Sequence, residues 1–118
     1  MAKRIIVGLS GASGVIYGIR TLMHLRAIED VETHLVLTEG GRINIQVETD
    51  IAVSDVLALA DVVHRDDNLA AKISSGSFQT DGMIVIPCSV KSLSGIVNSY
   101  ADNLLCRAAD VCLKEKRK

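Results

Sequence analysis

The sequence predicts an α/β fold, a doubly wound parallel sheet in a single domain, and three observations carry that prediction. Short β-branched apolar runs alternate with stretches of helical spacing. Those runs lack polar alternation, as strands buried on both faces of a parallel sheet do. At 118 residues, with 48% hydrophobic and 23% charged residues, the chain has the size and composition of one globular domain.

Arg4-Ile5-Ile6-Val7-Gly8-Leu9 is the first strand, and it breaks into the small residues Ser10-Gly11-Ala12-Ser13-Gly14. Val15, Ile19, Leu22, Met23 and Leu25 then recur at helical spacing, and that helix ends before Glu29-Asp30. Thr33 to Leu37 is a second strand. Glu39-Gly40-Gly41 reads as a break, with a short helix over 42–48. Ser54 is placed as the N-cap of a helix over Asp55 to Ala60, with Asp55 favourable in its first turn. His64 to Asn68 reads as a polar loop. Met83-Ile84-Val85-Ile86 is a third strand, closed by Pro87, the single proline. Ser89 to Val97 and Asn103 to Lys116 are helical patterns. On the second of these, Leu104, Leu105, Ala108, Ala109, Val111 and Cys112 form an apolar face. Asn103, Arg107, Asp110 and Lys114 form a polar stripe in which Asp110 and Lys114 are spaced to pair.

Several function classes are excluded on composition. No apolar run approaches the ~18 residues of a membrane span. Met1 to Arg4 lead straight into a strand with no leader pattern, so a cytoplasmic location is expected. The net charge is −1, with a basic end, Lys114-Glu115-Lys116-Arg117-Lys118, on an acidic body. That balance, with one Phe, two Tyr and no Trp, does not suit a nucleic-acid surface. Cys88, Cys106 and Cys112 have no zinc spacing and suit reduced thiols, with Cys106 and Cys112 as small core residues. His24, His34 and His64 form no pair at metal-ligand spacing. Asp66-Asp67 stands without a second aspartate-rich segment for a magnesium diphosphate site, so no metal is expected.

The residues with chemistry cluster at strand ends. Gly8, Gly11 and Gly14 recur at every third position where the first strand hands over to a helix. Small residues there let a phosphate approach backbone N–H groups at the positive helix end, and Ser10 and Ser13 add hydroxyls. The spacing is neither GxGxxG nor a P-loop, and a turn that merely packs is the alternative. In an open parallel sheet, ligands lie beyond the carboxyl ends of the strands. Ile86-Pro87-Cys88-Ser89-Val90-Lys91-Ser92 therefore shares an edge with the first turn, and Ser89 and Ser92 can face the ligand of Ser13. Cys88 is a candidate nucleophile without a histidine near it in sequence. Ser74-Ser75-Gly76-Ser77 is either a flexible loop or a close approach to a flat ring. Glu48 and Asp50 are candidate acid/base groups if buried, and a surface turn otherwise.

Taken in order, Gly8-Leu9-Ser10-Gly11-Ala12-Ser13-Gly14, Val47-Glu48-Thr49-Asp50, Ser74-Ser75-Gly76-Ser77-Phe78, Ile86-Pro87-Cys88-Ser89 and Arg107 to Glu115 resemble the UbiX-like flavin prenyltransferases. The likeness is greatest to members named as subunits of phenolic (hydroxyarylic) acid decarboxylases, and it spans essentially the whole chain. The resemblance implies a flavodoxin-like or Rossmann-like fold that binds FMN, with residues 1–118 as the flavin-binding N-terminal part of the family fold. It implies transfer of a dimethylallyl group from dimethylallyl phosphate or diphosphate to N5 and C6 of reduced FMN, without a metal. The prenylated FMN would serve a UbiD-like aromatic acid decarboxylase. Carried over by position, Gly11, Ala12 and Ser13 match the flavin-phosphate turn, with Ser13 also near the reacting face. Thr38 stands where the family has a flavin-binding serine, and Ser89, Val90, Lys91 and Ser92 match the second flavin loop. Ser75 matches a serine near the flavin ring, Glu48 the acid/base glutamate, and Arg107 and Lys114 basic residues of the prenyl-phosphate region. The family continues past the position of Lys118 with a strand ending in Arg-Glu and later a Tyr and an Arg, so the fold is expected to be incomplete at its C-terminus. Large homo-oligomers with sites between subunits are also implied. The alternative of another class is a non-catalytic FMN-binding subunit associated with a phenolic acid decarboxylase. A flavin-dependent cysteine decarboxylase would carry a characteristic histidine and an Asn-containing loop after the equivalent of Pro87, where Cys88-Ser89 stands here. An NAD-binding module, with Glu39 as ribose ligand, is disfavoured by the glycine spacing.

Overall fold

Four strands form one sheet in the computed structural model, which describes residues 2–118; Met1, the first residue of the segment leading into the first strand, lies outside them. The elements are β1 (Lys3–Leu9), α1 (Val15–Arg26), β2 (Val31–Leu37), α2 (Glu39–Glu48), α3 (Val53–Leu57), β3 (Val62–Arg65), β4 (Gly82–Val85), α4 (Val90–Val97) and α5 (Leu104–Lys114), with a 3-10 turn at Lys72–Ser74 before β4. The strand order is β3-β2-β1-β4, and every pairing is parallel. The chain leaves β1 for β2 on one side and returns to β4 on the other. Beyond β1 and β4 there is therefore a crevice at a topological switch point.

Alternation along the strands feeds two cores. Val7, Leu9 and Leu35 pack with Val15, Ile19 and Leu22 of α1, Ile45 of α2 and Val56 of α3. Ile6 and Val36 face the other way, against Leu104, Leu105, Ala108 and Cys112 of α5 and Ile73 of the 3-10 turn. Each large side chain fully buried in this way contributes ~1.5–3 kcal/mol. Cys106 and Cys112 are core residues, as read from the sequence.

Five local expectations are corrected. The loop expected from His64 begins as a strand: Val62–Arg65 is β3, an edge strand paired with His34 to Leu37 of β2. The break at Glu39-Gly40-Gly41 is the first turn of α2. Thr38 caps it, its Oγ1 accepting from Gly41 N at 3.0 Å. Ser54 lies inside α3, whose N-cap is Ala52. Asn103 is the N-cap of α5, accepting from Cys106 N at 3.0 Å, and not a member of a solvated stripe. Among the described residues, the ion pairs are Arg4–Glu32, His34–Glu32, Arg42–Glu39 and Arg65–Asp67, and Asp110–Lys114 is not one of them.

Candidate functional site

The carboxyl edge of the sheet is drawn together by backbone and hydroxyl groups. The β1–β4 ladder ends with Ile86 N donating to Gly8 O at 2.8 Å. Beyond it the turn after β1 and the turn after β4 meet through Ser10. Its Oγ donates to Pro87 O at 2.9 Å and accepts from Ser89 N at 2.7 Å. Its own N donates to Pro87 O at 3.2 Å. Ser10 is 1% exposed. Its hydroxyl thus bridges the two turns and is not presented to a phosphate as the sequence suggested. The Ile86–Pro87 peptide is cis.

Glycines set the spacing. Thr38 N donates to Leu9 O at 3.1 Å, tying the end of β2 to the end of β1. Gly11 then lies on the backbone of Gly40: a Cβ on Gly11 would stand 2.9 Å from Gly40 Cα. Gly14 has φ +95°, a conformation open to glycine, and caps α1. Asn44 Nδ2 of α2 donates to Ala12 O at 3.0 Å, and Gly14 N donates to Glu48 Oε1 at 3.0 Å. The turn from Gly11 to Gly14 is therefore held along one face of α2, by Gly40, Asn44 and Glu48, while Gly11 and Ser13 stay exposed.

Three helices begin at this edge; α2 starts beyond β2, and the other two border the crevice. α1 starts directly beyond β1, and α4 directly beyond β4. Ser89 caps α4: its Oγ accepts from Ser92 N at 3.1 Å and donates to Ser92 Oγ at 2.9 Å. The first N–H groups of both helices have no partner within their helix and carry the positive ends of their dipoles. An anion bridging the two turns meets N–H donors and neutral hydroxyls. A cavity of about 580 Å³ opens beside this edge, between α4 and α5, with Lys91, Ser92, Tyr100 and Cys106 in its wall.

Gly11, Ala12, Ser13, Thr38, Glu48, Ser89, Val90, Lys91 and Ser92 all lie at this edge. Glu48 is an exposed carboxylate bonded to the start of α1. Ser75, Arg107 and Lys114 are not brought to it. Ser75 Oγ pairs with Ser77 Oγ at 2.8 Å, and Arg107 Nε reaches Ser74 O at 3.4 Å. The loop that follows is fastened at the amino edge of the sheet. Arg117 donates to Gly76 O at 2.8 Å, Phe78 O at 3.1 Å and Thr80 Oγ1 at 3.3 Å. Arg4, at the start of β1, donates to Gln79 O at 3.1 Å through its guanidinium and to Asp81 Oδ2 at 2.8 Å through its backbone. Lys114 is exposed at the last turn of α5.

Cys88, His34, His64 and Glu32 are buried or half-buried. Burial pushes the Cys88 thiol up, which keeps it protonated and weakens it as a nucleophile. His34 and His64, thirty residues apart, are joined: His34 Nδ1 is 2.9 Å from His64 Nε2, and His34 Nε2 is 2.6 Å from Glu32 Oε1. Burial, and then the charge of His34, hold His64 below the ordinary histidine value. The hydrogen bond from His34 holds Glu32 below the ordinary carboxylate value. Among the described residues, no three His, Cys, Asp or Glu side chains gather as a metal site. Ser10, Asn44 and Arg117 are the structural residues whose roles sequence reasoning missed, because each acts on a segment remote along the chain.

Comparison with known proteins agrees with this geometry. The chain is 60% identical over 115 residues to the flavin prenyltransferase UbiX of Escherichia coli K12, covering 98% of this chain and 61% of that protein. It thus spans about three fifths of the length of the relatives it matches. AnUbiX (PadA1), solved in complex with FMN and dimethylallyl pyrophosphate, superposes with a TM-score of 0.96 at 49% identity, over 99% of this chain and 62% of that one. A dodecameric FMN-dependent UbiX-like decarboxylase from Escherichia coli O157:H7 superposes equally well, at 54% identity over 98% of this chain and 63% of that one. The doubly wound, flavodoxin-like fold and the UbiX resemblance expected from the sequence are both found. Residues 1–118 match the family model described as Flavoprotein, and the chain belongs to the Flavoprotein family.

Proposed function

We propose that residues 1–118 form the flavin-binding domain of a flavin prenyltransferase, which moves a dimethylallyl group from dimethylallyl phosphate or diphosphate to reduced FMN. The observation that carries this reading is the joint at the switch point. Two helix starts and four hydroxyls converge there, in a backbone that matches a relative holding FMN and dimethylallyl pyrophosphate.

The residues fit a flavin phosphate. The bare Gly11–Gly40 contact keeps the turn flat, and Ser13 and the N–H groups at the start of α1 supply donors. Thr38 borders this turn on the β2 side, and Ser89 to Ser92 border it on the β4 side. Reduced FMN, when bound, supplies nucleophilic N5 and C6. Glu48, fixed by Gly14 N at the entrance of α1, is placed to take and return protons. Arg107 and Lys114 lie seven residues apart on α5, about 10 Å along its axis, and supply positive charge for the leaving phosphate without a metal. Because they and Ser75 lie away from the crevice of their own chain, they serve that of a neighbouring copy in a homo-oligomer. The site is thereby closed and dry enough for an allylic cation. The product passes to a UbiD-like decarboxylase. Among the described residues no helix is long and apolar enough to cross a membrane. We assign a cytoplasmic location.

The test is an anaerobic incubation of the purified chain with reduced FMN and either donor, followed by mass spectrometry of the released flavin. A flavin heavier by one dimethylallyl unit supports transfer. Bound but unmodified FMN selects the non-catalytic FMN-binding subunit, and a chain that takes up no FMN overturns the flavin reading.

A further inference from the structure

We infer that Ser10 is a positioning residue, whose buried hydroxyl locks the turn after β1 to the turn after β4 and so fixes the width of the crevice between them. The ladder between β1 and β4 stops at Gly8 and Ile86. Past that point one backbone bond, Ser10 N donating to Pro87 O at 3.2 Å, still joins the two turns, and the Ser10 hydroxyl supplies the shorter ties. Ser10 spans them twice through one oxygen: it donates to Pro87 O at 2.9 Å and accepts from Ser89 N at 2.7 Å. Ser89 in turn caps α4 through Ser92 N. One unbroken chain of hydrogen bonds therefore runs from the end of β1 to the first turn of α4. At 1% exposure, with its proton given to Pro87, Ser10 Oγ is not a contact for the ligand. It acts through Ser89 and Pro87. Removing it leaves Ser89 N–H without its partner beneath the crevice.

The ligand in this inference rests on the flavin reading above, whereas the coupling of the two turns does not. The decisive comparison is Ser10→Ala against Thr33→Val. Thr33 is also 1% exposed, and its hydroxyl also bridges two segments, accepting from Asp61 N at 3.0 Å near the amino ends of β2 and β3. Both variants are expected to lower the thermal unfolding midpoint. Only Ser10→Ala is expected to weaken FMN binding, by about tenfold, the cost of one unpaired buried donor. It should also speed hydrogen exchange at the Ser89 amide in the ligand-free protein. Equal loss of FMN affinity in both variants would show a general effect of stability and overturn the inference. So would Ser10→Ala with unchanged affinity and unchanged Ser89 exchange. Ser10→Cys, which keeps the size but bonds weakly, carries the same comparison if the alanine variant is insoluble. If the unaltered chain binds no FMN, the flavin reading fails, and Ser89 exchange alone decides: faster in the variant supports the lock, unchanged refutes it.

Discussion

The two edges of the sheet are held by different chemistry. At the carboxyl edge the ties are mostly neutral: Ser10 to Pro87 and Ser89, Thr38 to Leu9 and Gly11 against Gly40, with the Glu48 carboxylate on Gly14 N beside them. At the amino edge charged side chains enter the ties: the long Arg4 and Arg117 guanidinium groups reach Gln79 and Gly76, Phe78 and Thr80, while the Asp81 and Asp61 carboxylates accept from Arg4 N and Thr33 N. The long side chains tolerate displacement of the loops they brace. Backbone in contact with backbone does not. The edge built for stiffness is the one where two helix starts converge, as expected of a site whose donors must be in place before a ligand arrives.

That contrast can be broken from either side. The largest effect is expected from Gly41→Ala, because a Cβ there would stand 2.6 Å from Leu9 O. Denaturant titration should show a loss of ~3 kcal/mol, as for other overpacked sites; a well-folded variant of normal stability would mean that the carboxyl edge yields. Next comes Arg117→Ala, at about 1–2 kcal/mol, since the carbonyls it releases are partly able to find water. Its FMN affinity should stay within about twofold of the parent chain, and a fall in step with stability would erase the distinction between the edges. Thr38→Ala removes the cap of α2 at a cost of ~1 kcal/mol and should weaken FMN binding, while Thr38→Ser keeps both.

The smallest effect concerns pH. His64 is held below its ordinary value of 6.5, so the unfolded chain takes up that proton more readily than the folded one. Stability therefore falls as pH drops through the range just below 6.5. Glu32 is shifted down from 4.5, so its contribution is present above that value and is lost as pH falls through its lowered one. Burial shifts Asp66 up from 3.8, and its effect has the opposite sign, relieving some strain on acidification. His64→Gln should flatten the slope of urea midpoints between neutrality and about pH 5, leaving the acid limb of Glu32. An unchanged slope would remove His64 as its source.

What was legible in the sequence follows from how local the physics is. β1 and β4 showed through the apolar runs Ile5-Ile6-Val7 and Met83-Ile84-Val85, and β2 through Leu35-Val36-Leu37. β3 did not, since only Val62 and Val63 of its four residues are apolar and it runs on into the charged Arg65-Asp66-Asp67. Gly40-Gly41 read as a break because glycine disfavours helices, yet here the missing side chains are what lets α2 touch Leu9 and Gly11. The glycines and serines of the crevice were visible because they sit beside strand ends. Their closure was not: Ser10 and Pro87 are 77 residues apart, and Arg117 and Gly76 are 41 apart. Nothing in the spacing of His34 and His64 announces a bond between them. The roles of Ser75, Arg107 and Lys114 came from resemblance alone, because no single chain places them at the crevice.

The carbonyl of Pro87 accepts both the amide and the hydroxyl of Ser10. A carbonyl with two donors is more polarised than one with a single donor, and its stretching band lies at lower frequency. The molecule thus contains its own gauge. An isotope placed on that one carbonyl would give a band that moves up when the turns part and returns when they close, reporting the width of the crevice in solution with no dye or bound flavin.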